Sequence, residues 1–104
     1  TKQSSVRGKV LLIGNIDDIK LAKANSILVM VSVFPAYAPA IMRAKAVIAE
    51  NGGMLSHAAV VAREYNKPAV IGVKGAARVL KTGDEIKIIL KGNRGEIMKV
   101  NYNG

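Results

Sequence analysis

The sequence predicts a compact α/β domain, and three observations carry that expectation. Apolar β-rich segments stand at both ends of the chain, over Val6–Gly14 and over Glu85–Val100. A continuous apolar run, Ser26–Val33, has the composition of an inner strand covered on both faces. After Ser56 the pattern changes period, and Ala58, Val61, Ala62 and Tyr65 recur at helical spacing. With 104 residues the chain is expected to form one domain over 1–104, large enough for a single core.

Taken in order, Thr1–Ser5 is polar and expected to fray. Val6–Gly14 reads as a strand whose Val10, Leu11, Leu12 and Ile13 are buried on both faces. Gly14-Asn15 ends it, and Asp17-Asp18 marks a helix entry or turn in which both carboxylates act as a solvated cap. After the Ser26–Val33 strand, Pro35 and Pro39 bracket a turn, and Ala40–Ala44 is a short helical piece with Ile41 inward. Lys45–Ala49 is a strand that runs directly into Glu50-Asn51-Gly52-Gly53. The helix that follows ends at Tyr65-Asn66-Lys67-Pro68. Asparagine tolerates the left-handed conformation of a C-cap, and Pro68 forbids continuation. Pro68–Val73 reads as a strand and Ala76–Leu80 as a short helix. Thr82-Gly83-Asp84 is a turn, Glu85–Leu90 an alternating strand, Gly92–Gly95 a hairpin loop and Glu96–Val100 the return strand.

The chemistry is concentrated in Glu50–Glu64, which contains His57, the one histidine of the sequence. Gly52 and Gly53 let the backbone turn sharply or come close to a bound group, because neither has a Cβ. Ser56 is a good N-cap, with a hydroxyl that accepts from an unpaired amide of the first turn. His57 therefore falls at the start of a helix, where free N–H groups and the positive end of the dipole suit an anion. Two readings follow from the residues alone. In one, His57 is a polar residue at a helix start without chemistry. In the other it is a nucleophile: imidazole with a pKa near ~6.5 is largely neutral at pH 7, and a ring nitrogen is free to attack phosphorus. Spacing does not choose between them.

A resemblance does. Gly52-Gly53-x-x-Ser56-His57-Ala58-Ala59, then Val61-Ala62-Arg63-Glu64 and Pro68-Ala69-Val70-Ile71-Gly72, closely resembles the phosphohistidine domain of phosphoenolpyruvate-utilising enzymes. That family includes phosphoenolpyruvate synthase, pyruvate phosphate dikinase, enzyme I of the sugar phosphotransferase system and rifampicin phosphotransferase. The likeness extends from about Val6 to Val100 and is most specific over Gly52–Gly72. It implies a swivelling β/β/α fold and makes His57 the residue that is transiently phosphorylated. It implies a phosphate-binding set of Gly52, Gly53, Ser56 and Ala58, with Arg63 as a supporting residue. Each of these also has a plain structural reading: a turn for the glycines, a cap for Ser56, a solvated or structural ion pair for Arg63. The family further implies partner domains, on the same or another chain, that bind nucleotide and phosphoenolpyruvate or pyruvate. Mg²⁺ with ATP or phosphoenolpyruvate would be held on those partners, and no cofactor or metal on this domain.

Four positions depart from the family pattern. Leu55 stands where most dikinases and enzyme I have threonine, so no hydroxyl is available there for phosphate contact or regulatory phosphorylation. Leu55 and Glu64-Tyr65 resemble the branch with rifampicin phosphotransferase, whereas Ala58-Ala59 follows the synthase and dikinase pattern. Val33-Phe34 replaces the usual threonine or aspartate before Pro35, and Asn66 replaces a common glycine. No segment is long enough for the helical insertion with which enzyme I meets its carrier protein.

Composition limits the alternatives. There is no cysteine, hence no disulfide framework or thiolate metal site; this is compatible with a reducing cytoplasm, the setting expected for the domain, without demanding it. No apolar run approaches the ~20 residues of a membrane span, and no secretory signal opens the chain. Thr1 in place of methionine suggests processing or excision from something longer. Neither G-x-G-x-x-G nor a P-loop occurs, so nucleotide binding is expected elsewhere. Sixteen basic residues against seven acidic give a formal charge of +9, which raises a second hypothesis, a basic nucleic-acid- or protein-binding module. The lysines and arginines are scattered singly, however, and Phe34, Tyr37, Tyr65 and Tyr102 do not alternate with them as a base-stacking platform would.

Overall fold

The computed structural model describes residues 3–52, 57–91 and 94–100. Six strands form one mixed sheet: β1 (Gln3–Leu12), β2 (Ser26–Met30), β3 (Ala46–Ala49), β4 (Ala69–Ile71), β5 (Glu85–Lys91) and β6 (Arg94–Lys99), in the order β4-β3-β2-β1-β5-β6. From β1 to β4 neighbouring strands are parallel, and β5 and β6 are added antiparallel on the other side of β1. Among the described residues there are three helices: α1 (Ala38–Arg43), α2 (His57–Glu64) and α3 (Ala76–Val79). Two 3₁₀ turns, Ile16–Leu21 and Pro35–Tyr37, precede β2 and α1.

β2 and β3 are buried at every position, as parallel strands covered on both faces should be. Their side chains divide between two cores by the two-residue period of a strand. Leu28, Met30, Val47 and Ala49 face Ile41 of α1 and Val61 of α2. Ile27, Val29, Ala46 and Ile48 face Ala76 of α3 with Ile86 and Ile88 of β5. The sheet curls so far that its two edge strands meet: a Cβ on Gly95 of β6 would lie 2.8 Å from Cγ2 of Val70 on β4. Glycine is what permits that approach.

Most predicted elements are present, with several boundaries displaced. Ser4 and Ser5, expected to fray, are paired with Leu90 and Ile89, because the antiparallel β5 satisfies their backbone. Thr1 and Lys2 lie outside the described residues. The Ser26 strand stops at Met30 and not at Val33, since β3 ends opposite it at Ala49. The Pro68 strand shrinks to Ala69–Ile71, as Gly72 turns away at φ 84°. Arg94 and Gly95, read as loop, belong to β6 and pair with Lys91 and Leu90. The Asp17-Asp18 entry is a 3₁₀ helix with Asn15 as N-cap. The Asn15 side chain accepts from the Asp17 N–H at 2.9 Å, while the Asp18 carboxylate accepts from the amides of Gly14 and Asn15.

The end of α2 follows the expectation closely. Asn66 is the one residue other than glycine with positive φ among the described residues, at 57°. The Lys67 N–H donates to the Ala62 carbonyl at 2.8 Å and the Asn66 N–H to that of Arg63 at 3.1 Å, the two bonds of a Schellman ending. Asn66→Gly is therefore expected to be neutral or slightly stabilising. Asn66→Val should cost about 1 kcal/mol or more, because a β-branched side chain resists this conformation. Thermal unfolding of the two variants checks this, and equal midpoints would contradict the cap.

Candidate functional site

The four parallel strands all end on one side of the sheet, and there the chain passes from each strand into its following loop. In open α/β sheets that is where ligands are met. The turn after β1 carries Gly14, the loop after β2 carries Val31–Phe34, and β3 leads into Glu50-Asn51-Gly52. His57 is the first residue of α2, the helix that returns along the sheet. The first turn of any helix leaves N–H groups without an intrahelical acceptor. The backbone of His57 and Ala58 thus lies in the part of α2 where an anion is favoured.

Three tethers hold the chain as it leaves β3. The Glu50 N–H donates to Met30 O at 3.0 Å and the Asn51 N–H to Val31 O at 2.8 Å, so pairing with the β2 segment outlasts the strand itself. The Asn51 side-chain amide donates to Ser32 Oγ at 2.9 Å. On the opposite face, the half-buried Glu50 carboxylate accepts the Ala77 N–H at 2.9 Å and so caps α3. Gly52 then takes φ 122°, a conformation L side chains rarely adopt, and its carbonyl lies 3.6 Å from where a Cβ on Gly72 would stand. The sharp turn expected of the glycine pair is in place at Gly52.

Beside this turn, a cleft of about 200 Å³ is lined by Ile13, Gly14, Val31, Ser32, Phe34 and Tyr37. Phe34 and Tyr37 meet edge to face with centroids 5.5 Å apart. Phe34 remains 56% exposed and Val31 50%, so the rim of this end of the sheet is apolar. That is the consequence of Val33-Phe34 in place of a hydroxyl or carboxylate residue.

Of the predicted residues, the structure brings Gly52 and the start of α2 to the same end of the sheet. Gly53 and Ser56, with the cap expected from Ser56, lie outside the described residues. Arg63 is exposed on α2. Val61 and Ala62 of the apolar stripe are buried, at 6% and 4%, and Tyr65 packs partly against the same core. Sequence reasoning missed Ser32 and the capping role of Glu50. Ser32 is nineteen residues from its partner, and nothing local marks it; only strand order brings the two together. Among the described residues, no group of three or more His, Cys, Asp or Glu side chains could hold a metal ion. No helix among them is long and apolar enough to cross a membrane.

A mixed sheet whose parallel strands end beside the Gly52 turn and a helix opening on histidine fits one class: the mobile domain of PEP-utilising enzymes. The chain belongs to that family, whose model matches residues 22–95. It is 41% identical over 92 residues to a probable phosphoenolpyruvate synthase of Pyrococcus horikoshii, a match covering 88% of this chain and 11% of that protein. It is 37% identical over 83 residues to rifampicin phosphotransferase of Bacillus subtilis, covering 80% of this chain and 10% of that one. In fold it is similar to the solution structure of Enzyme I, with a TM-score of 0.57 over 75% of this chain and 31% of that one, at 22% identity. The chain thus spans about a tenth of the length of the curated relatives it matches.

Proposed function

We propose that this domain is a phosphoryl carrier in which His57 is transiently phosphorylated. The observation that supports this best is the position of the chain's one histidine, as first residue of α2 at the end of the sheet where the Gly52 turn leaves β3. A neutral imidazole nitrogen attacks the donor phosphorus. The N–P bond forms as the P–O bond to the donor breaks, and the electron pair departs on the leaving oxygen. In the second transfer an acceptor oxygen attacks the same phosphorus, and the N–P electron pair returns to the imidazole. Both steps ask mainly for alignment and charge stabilisation. The N–H groups at the start of α2 offer the phosphoryl oxygens roughly 0.3–1 kcal/mol of stabilisation, more where water is excluded.

Donor and acceptor are held by other domains, between which this one swivels. The donor is ATP or phosphoenolpyruvate, with Mg²⁺ offsetting charge on the phosphates there. The acceptor is pyruvate, phosphate, water or another small molecule. The test supplies the chain with nucleotide- and phosphoenolpyruvate-binding domains, Mg²⁺ and either donor, and asks whether one acid-labile phosphoryl group is gained.

The formal charge of +9 keeps a nucleic-acid-binding module as the competing reading. Only weak, non-specific binding that falls steeply with salt is expected. Titration of DNA and RNA oligonucleotides at physiological salt checks this. Selective binding below about 1 μM, tighter than the ~10⁻⁴–10⁻⁶ M of non-specific binding, would displace the carrier reading.

A further inference from the structure

The geometry points to Asn51, anchored by Ser32, as a positioning residue for phosphoryl transfer at His57; this rests on the carrier reading. Asn51 stands where the chain departs from β3 toward α2. Its backbone N–H is bound to Val31 O at 2.8 Å and its side-chain amide to Ser32 Oγ at 2.9 Å, so both ends of the residue are fixed to the loop after β2. The next residue, Gly52, makes the turn at φ 122°. Asn51 and Gly52 thus fix the point at which the chain leaves β3, six and five residues before His57.

Asn51 is exposed and Ser32 half-buried. A hydrogen bond at such a water-accessible place competes with solvent, so it adds little to folding. What it fixes is a position. Phosphoryl transfer is sensitive to such placement, since a misplacement of about 1 Å can cost on the order of 100-fold in rate. The bond is thus better suited to fixing where the chain leaves β3 than to holding the fold. Ser32 also lines the apolar cleft beside Phe34, so the same contact couples the turn to the surface that a partner domain would approach.

The test is single-turnover transfer to the chain from nucleotide- and phosphoenolpyruvate-binding domains, with the donor varied. Ser32→Ala and Asn51→Ala are each expected to lower the transfer rate about tenfold, within the ~100-fold that misplacement can cost, with the half-saturating donor concentration unchanged. The double variant should fall no further than the slower single one, because both remove one contact. Ser32→Thr keeps the hydroxyl and should transfer at the wild-type rate. A merely structural role would lower the melting temperature in proportion to the rate and would not be rescued in this way. A wild-type chain that takes no phosphoryl group overturns the carrier reading and this proposal together. A wild type that is labelled, with Ser32→Ala and Asn51→Ala equally fast, overturns the positioning role alone. Independent, multiplying losses in the double variant also overturn it.

Discussion

His57→Ala is expected to abolish phosphoryl labelling completely while leaving the fold intact. The residue opens α2, so on the carrier reading its truncation removes the nucleophile while a helix start tolerates alanine. With one histidine in the sequence, no second imidazole can substitute. The wild-type adduct should be lost in acid and survive alkali, because protonation of the imidazole makes it a good leaving group, whereas a phosphoserine does not behave so. Intact-mass spectra before and after acid treatment read this directly. Ser56→Ala should slow labelling without ending it, since on the proposed reading Ser56 supports the transfer and is not the nucleophile. Alone, the chain should neither hydrolyse ATP nor consume phosphoenolpyruvate. Acid-labile labelling that persisted in His57→Ala would exclude His57 as the carrier.

The parts of this molecule that were legible in the sequence are those fixed by local chemistry. Asn66 was readable as a helix end because few residues other than glycine tolerate φ 57°, and the chain has asparagine followed at once by Lys67-Pro68. The buried run in β2 was readable because parallel strands covered on both faces must be apolar throughout. His57 stood out as the one histidine of the sequence, but its spacing left two readings open, and only the family resemblance pointed to a nucleophile. The strand ends were less legible. Val31 and Val33 are as apolar as the residues of β2, yet they leave the sheet, because a strand ends where its neighbour does and not where its hydrophobicity does. Ser4 and Ser5 erred in the other direction: they are polar, and a partner eighty-odd residues away makes them a strand. The same non-local order places Ser32 against Asn51 and the Glu50 carboxylate on the amide of Ala77. Contacts of that kind are decided by sheet topology, which no window of sequence contains.

The largest loss of stability is expected from Ile48→Ala. Ile48 lies in β3 between Val29 of β2 and Val70 of β4, and its side chain is wholly buried in the core formed with α3 and β5. Removing three carbons there forfeits the transfer free energy and leaves a cavity that flanking strands cannot close, because both are fixed in register. Such truncations cost about 2–5 kcal/mol, against a total of roughly 5–15 kcal/mol for a domain of ordinary stability. For a chain of this length that corresponds to a fall of more than about 10 °C in melting temperature. Ile48→Val removes a single carbon and should cost only about 0.5–1.5 kcal/mol. Leu21→Ala provides the contrast: Leu21 is 56% exposed at the end of the first 3₁₀ turn, and its loss should stay within about 0.5 kcal/mol. Because β3 ends at Ala49 and the turn at Gly52 follows three residues later, Ile48→Ala should also lose phosphoryl acceptance near its lowered melting temperature, where Leu21→Ala is still folded and active. Denaturant melts of the three variants, run beside the labelling assay, separate the two effects. If Ile48→Ala and Leu21→Ala melted together, β3 would not be the buried strand that carries the turn.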